Sequence, residues 1–292
     1  MNRARLCQIA AMSNRPVQNV PLAVKQLGAA ALRVRGPVAL TRFLRSDVVA
    51  GHGVPHGNGE PVVVLPPAAA GDWLMPVMLG WMRRIGYQAY RSRIGLHVDC
   101  SDRTMARVLP RVEEIAERHE RKVTLVGHSR GGLLARSMMS ARPDLVERVV
   151  TLASPHSAPF AVTNLTLAAA AVAARSRLQR NPARLTMGCL TEACACTYGR
   201  FFRAPLVQEG PPLVSLFTRT DDVVRWESCL VPGARNIEVR GTHVGVLASR
   251  NVYTALAHAL AGEHDLPGTT WCGPEPVLGT ADRPLVLGPR AG

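Results

Sequence analysis

The chain has 292 residues, 47% of them apolar and 4% aromatic, and a formal net charge of +14 at pH 7. That length buries a full core and suits one large domain with an insertion better than two equal domains, and no apolar run reaches the roughly 18 residues a membrane span needs. The positive charge comes without a zinc-finger, helix-turn-helix or RNA-binding pattern, so nucleic acid is not an expected partner.

Residues 1–59 read as an accessory helical segment and linker. Val20 to Val34 is Ala- and Leu-rich and predicts a helix, Gly36-Pro37 breaks it, and Val38 to Leu44 predicts another. Gly51 to Gly59 is a glycine-rich loop; His52 and His56 within it lack a flanking cysteine or carboxylate pair, which favours a linker over a metal site. From Glu60 onward strands alternate with helices, which predicts an α/β fold with a mostly parallel sheet covered on both faces, spanning residues 60–262. Pro61 to Leu65 is a buried strand candidate, and Gly71 to Ile85 a helix with Trp73, Leu74, Met78 and Trp81 inward. Gln88 to Ile94 follows as a strand. Ser101 to Arg118 is a helix whose stripe is Met105, Val108, Leu109, Val112, Ile115 and Ala116, with a kink expected at Pro110. A strand at Val123, a helix at Leu133 and a strand over Val146 to Leu152 come next. The alternation stops between Ser154 and Leu206, which predicts an inserted helical cap at about residues 155–207 over one edge of the sheet. It resumes with strands over Pro212 to Phe217 and Asn236 to Val239, then a helix from Asn251 to Leu260 closed by Gly262. Residues 263–292, rich in Gly and Pro, read as a loosely ordered tail.

The stretch Val123-Thr-Leu-Val-Gly127-His128-Ser129-Arg130-Gly131-Gly132 carries the chemistry. A serine hydroxyl is a poor nucleophile unless the backbone holds it beside a base and an oxyanion cradle. A sharp strand-to-helix turn with glycines at minus two and plus two supplies that setting. The helix behind Ser129 also aims unpaired N–H groups at any negative charge that develops there.

A nucleophilic serine needs a histidine, and the histidine needs a carboxylate to hold its tautomer. Leu213 to Val224 is a strand ending in Asp221 and Asp222, and Asn236 to Gly245 a strand ending in His243. Parallel strands carry their C-terminal loops to one edge, so these side chains meet Ser129 there. Adjacent residues point in different directions, so only one of the two aspartates can reach the imidazole; Asp221 is favoured and Asp222 read as a turn residue. His128 is expected to pack rather than curl back onto Ser129, and His156 to line the pocket. The oxyanion cradle is expected to combine the N–H of Arg130 with one from the loop Leu65 to Gly71. Prolines have no N–H, so Ala68 is the first possible donor in that loop.

These pieces resemble the bacterial lipase/esterase branch of the α/β-hydrolase superfamily, the group of predicted acetyltransferases and hydrolases with that fold. The likeness covers residues 60–262 and rests on Val126-Gly-His-Ser-Arg-Gly-Gly, Ala153-Ser-Pro-His, Ser215 to Trp226 and Arg240-Gly-Thr-His243. It implies triad roles for Ser129, Asp221 and His243, and no cofactor. Pro67 and Asp222 depart from it, since relatives commonly carry glycine at both places.

The expected activity is hydrolysis of a carboxylic ester through an acyl-enzyme, with a small-molecule or lipid ester as substrate and no metal. An acyltransferase or thioesterase on the same triad, and a non-catalytic binding protein of the same fold, are the alternatives. Cys189, Cys194 and Cys196 read as buried thiols ahead of a local disulfide or a metal site. Met1 to Met12 starts basic, but its apolar part is short and broken by Gln8, so no signal peptide is expected and the location reads as cytoplasmic. Residues 1–50 hold eight basic side chains against Asp47 alone, and residues 172–203 six arginines against Glu192. That unevenness suggests peripheral contact with an anionic membrane surface.

Overall fold

In a computed structural model the described residues are 41–68, 70–157, 195–199 and 210–263. The helix expected over Val20 to Val34, nearly all of the cap insertion, Cys189, Cys194 and the tail beyond Glu263 lie outside them.

Six strands form one all-parallel sheet in the order β2-β1-β3-β4-β5-β6. They are β1 (Pro61–Leu65), β2 (Gln88–Arg91), β3 (Val123–His128), β4 (Val146–Leu152), β5 (Leu213–Phe217) and β6 (Arg235–Glu238). Every residue of β1, β3 and β5 is buried, which suits their largely apolar sequences: helices cover both faces of the sheet.

The pleat sends alternate side chains to two cores. Val62, Val64, Val126, Val150 and Leu216 pack against α1 (Asp47–Ala50), α2 (Pro76–Arg84) and α5 (Arg250–Ala261). Val63, Leu65, Leu125, Val149 and Leu213 pack against α3 (Ser101–His119) and α4 (Arg130–Ala141). Full burial of each such aliphatic stabilises the fold by about 1.5–3 kcal/mol. Phe43, Val48 and Val49 belong to the first of these cores, so the packed region begins ahead of Glu60. Trp81 Nε1 donates to the Val48 carbonyl at 2.7 Å, and the rings of Phe43 and Trp81 both meet Tyr253 edge-on, at 4.5 and 4.6 Å.

Two elements differ from expectation. Residues 71–85 are not one helix: a 3-10 turn covers Asp72–Leu74, and α2 starts only at Pro76. A proline opens a helix readily but is disfavoured five residues into one, because it has no N–H to bond backward. Asp72 is also held away from that helix, accepting bonds from Ser92 Oγ at 2.7 Å and Arg93 N at 2.6 Å. Trp73, expected inward, is therefore 65% exposed, whereas Met78 and Trp81 are buried as the spacing predicts. The same ties end β2 at Arg91 instead of Ile94: Ser92 turns to Asp72, and Arg93 adopts φ 65°. α3 runs through Pro110 as one helix, and α5 ends at Gly262.

The chain order decides where a site forms. After β2 the chain crosses back to lay β3 on the other side of β1, then builds outward to β6. The loops leaving β1 and β3 therefore part in opposite directions, and a crevice opens at their C-terminal ends.

Candidate active site

Ser129 sits at that crevice, between the last residue of β3 and the first of α4, with φ 54° and ψ −120°. A non-glycine residue there costs on the order of 1–3 kcal/mol, and surrounding contacts must hold it. Its N–H donates to the Leu152 carbonyl of β4 at 2.7 Å, and its carbonyl accepts from Gly132 N at 3.0 Å. The flanking glycines are required by space. A Cβ on Gly127 would lie 2.3 Å from the Gly131 carbonyl carbon, and one on Gly131 would lie 2.3 Å from the Leu65 oxygen. The helix thus starts hard against the end of β1.

Asp221 and His243 arrive on the loops after β5 and β6. His243 Nδ1 lies 2.8 Å from Asp221 Oδ2. A carboxylate only accepts, so Nδ1 carries a proton in this contact. The other oxygen of Asp221 takes the N–H groups of Val223 at 2.9 Å and Val224 at 2.7 Å, which fixes the carboxylate. Asp222, expected as a turn residue, has a second job: its Oδ1 accepts the backbone N–H of His243 at 3.0 Å. Thr218 and Thr220 Oγ1 both donate to the Gly241 carbonyl, at 2.7 and 2.9 Å, tying the two loops together.

His128 links this pair to the elbow. Its Nε2 donates to the His243 carbonyl at 2.9 Å, and the two rings lie 4.9 Å apart. Burial pushes its pKa down to about 3, with the neighbouring His243 adding to the effect, so it stays neutral. Ser129 and His243 are both nearly buried, at 8% and 5% exposure. Among the described residues Ser129 Oγ makes no hydrogen bond, and His128, the residue before it, bonds the His243 carbonyl. His156, expected in the pocket, is fully buried instead, with Nε2 3.1 Å from Thr151 Oγ1. Burial and the positive charge of Arg136 push its pKa down to about 3.

On the β1 side, Ala68 lies in an exposed turn and Arg130 opens α4. Among the described residues neither N–H has an acceptor. Sequence reasoning overlooked His97, which no motif marks. Its ring Nδ1 lies 2.9 Å from the Pro66 carbonyl, and its backbone N–H donates to the Ala70 carbonyl at 2.7 Å. Among the described residues no group of three or more His, Cys, Asp or Glu side chains is placed to hold a metal ion. Cys196 and Cys229 are buried, and burial raises the Cys229 thiol pKa.

Comparison with known proteins agrees with this architecture. A family model described as a PGAP1-like alpha/beta domain matches residues 100–182. A metagenomic carboxyl esterase is similar at a TM-score of 0.54 and 16% identity, covering 91% of this chain and 100% of its own. The mature lipase of Bacillus licheniformis gives 0.48 and 18% identity, over 71% of this chain and 94% of its own. The parallel sheet, its strand order and the elbow after β3 define an α/β-hydrolase fold. The likeness to the metagenomic esterase is a likeness of fold. Among the described residues no helix is long and apolar enough to cross a membrane.

Proposed function

We propose that this protein is a serine hydrolase that cleaves carboxylic esters, with Ser129 as nucleophile, His243 as base and Asp221 as the acid that orients it. The observation that carries the reading is the 2.8 Å contact between Asp221 Oδ2 and His243 Nδ1 at the sheet edge where Ser129 is held at positive φ. With Nδ1 protonated, Nε2 is the basic nitrogen. Catalytic hydrogen bonds often tighten only when substrate binds, so the open Ser129 hydroxyl is compatible with this role.

His243 takes the proton from Ser129 as Oγ attacks the ester carbonyl. The N–H groups of Ala68 and Arg130 hold the resulting oxyanion. As the tetrahedral species collapses, the imidazolium returns its proton to the departing alcohol, leaving Ser129 acylated. Water, deprotonated by the same imidazole, then attacks the acyl group, and the acid departs with Ser129 restored. The Ala- and Leu-rich insertion favours an acyl or otherwise apolar ester.

The test is labelling by a fluorophosphonate probe together with turnover of p-nitrophenyl esters graded from acetyl to long acyl. Wild type should be modified at Ser129, and Ser129→Ala should lose labelling and about 10⁴–10⁶ of kcat. An unlabelled wild type points to a non-catalytic protein. Acyl transfer to added alcohols or thiols with no hydrolysis points to a transferase.

A further inference from the structure

The loop after β2, residues 92–100, has no motif and no assigned role, yet it grips both sides of the oxyanion cradle. Its central residue, His97, is 1% exposed. The His97 ring meets the Pro66 carbonyl at 2.9 Å, and its main chain donates to the Ala70 carbonyl at 2.7 Å. These two bonds bracket Ala68. Two residues on, the Asp99 carbonyl accepts Arg130 Nη2 at 2.8 Å. Arg130 is the residue after the nucleophile and supplies the other expected donor. Its guanidinium also lies over the Tyr198 ring at 5.0 Å, and Tyr198 Oη donates to the Arg130 carbonyl at 3.0 Å.

Geometry decides what the ring can do here. A carbonyl only accepts, so Nδ1 must carry the proton, leaving Nε2 unprotonated. That Nε2 is buried without a partner among the described residues, a cost that the bond from Nδ1 to the Pro66 carbonyl offsets. The apolar alternatives at this position would lose the Nδ1 bond and leave the Pro66 carbonyl unsatisfied. The loop it serves begins Pro66-Pro67, two residues that cannot pin themselves through their own N–H groups. An outside donor is therefore needed to set the direction of the carbonyl and, through it, of the following peptides.

We infer that His97 is a positioning residue for ester hydrolysis, holding the Pro66–Ala70 loop so that the Ala68 N–H faces the developing oxyanion. The inference rests on the serine-hydrolase reading above. His97 touches no reacting atom and acts only through the loop. Burial, with the Arg130 charge next, pushes its pKa down to about 3, so it stays a neutral donor across the working range and adds no limb of its own to the pH–rate profile.

The experiment compares His97→Asn, His97→Gln and His97→Leu in the full chain. An Asn amide nitrogen falls near the position of Nδ1, whereas a Gln amide falls near Nε2. Displacing an oxyanion donor by about 1 Å lowers turnover by about 10²-fold. His97→Leu and His97→Gln should therefore lose about 10²-fold in kcat, with KM nearly unchanged because the ground-state carbonyl gains little from the cradle. His97→Asn should recover at least about tenfold of that loss. Rates of fluorophosphonate labelling at Ser129 should fall in the same order, since the phosphonyl oxygen occupies the same cradle. Thermal melts accompany each variant. If His97→Leu does not fold, the Asn-to-Gln comparison decides alone. Equal kcat in Asn and Gln variants of similar stability, or a change confined to KM, overturns the positioning role. A wild type that the probe does not label overturns the hydrolase reading, and the role with it; a labelled wild type with indifferent variants overturns only the role.

Discussion

Asp221 Oδ2 accepts a 2.8 Å hydrogen bond from His243 Nδ1, and the neighbouring Asp222 accepts the backbone N–H of the same histidine at 3.0 Å. Two consecutive carboxylates thus hold one residue from two directions, the first its ring and the second its main chain.

Those two jobs separate by substitution. Asp221→Asn keeps the shape but favours the wrong histidine tautomer, so kcat should fall about 10⁴-fold. Asp222→Asn keeps a side-chain oxygen able to accept the His243 N–H, and kcat should stay within about threefold, whereas Asp222→Ala should lose about tenfold or more. Steady-state kinetics on a short-chain ester measure all three. Equal losses in the two Asn variants would reverse the assignment.

Gly131 is fixed by space. A methyl group there would overlap the Leu65 carbonyl oxygen at 2.3 Å and approach the Pro66 oxygen at 2.8 Å, both backbone atoms that cannot swing aside. Gly131→Ala should destabilise the protein by more than about 3 kcal/mol or push α4 away from β1. Urea unfolding measures the first effect, and loss of probe labelling at Ser129 reports the second. A variant with wild-type stability and labelling would contradict this packing.

His97, His128 and His156 each have a pKa pushed down to about 3, in every case chiefly by burial. In the unfolded chain they titrate near 6.5. Between those values the unfolded state binds more protons than the folded one, so stability rises with pH and is lost as pH falls below about 6.5. At pH 5.5 each histidine should cost on the order of 1 kcal/mol, and the three together a few kcal/mol. Denaturant unfolding at pH 7.5 and 5.5 should show this loss, and His156→Asn should remove about a third of it. Stability unchanged between these pH values would mean that the imidazoles reach solvent.

Much of the fold was legible in the residues. The continuous Val and Leu run of β1 marked a buried strand, and the alternation of strands with helices marked a parallel sheet covered on both faces. The stripe Val108, Val112, Ile115 marked the inner side of α3. Trp73 misled: its spacing matched an inward helical position, but Pro76 and the ties on Asp72 start the helix later and turn the indole outward. The elbow was readable because a strained strand-to-helix turn has a local glycine requirement, and Ser129, Asp221, Asp222 and His243 were readable as candidates because parallel strands deliver their C-terminal loops to one edge.

What the sequence determined by itself was local: strand and helix identity, the glycines that a crowded turn demands, and the residue types at each strand exit. Tertiary structure alone decided the pairings across long stretches of chain: Asp221 rather than Asp222 on the imidazole, His128 beneath the His243 carbonyl 115 residues away, and His97 on Pro66, 31 residues away. Such bonds depend on directions set by the packing of whole elements. A histidine that donates to a distant carbonyl leaves no periodicity or spacing in the residues around it.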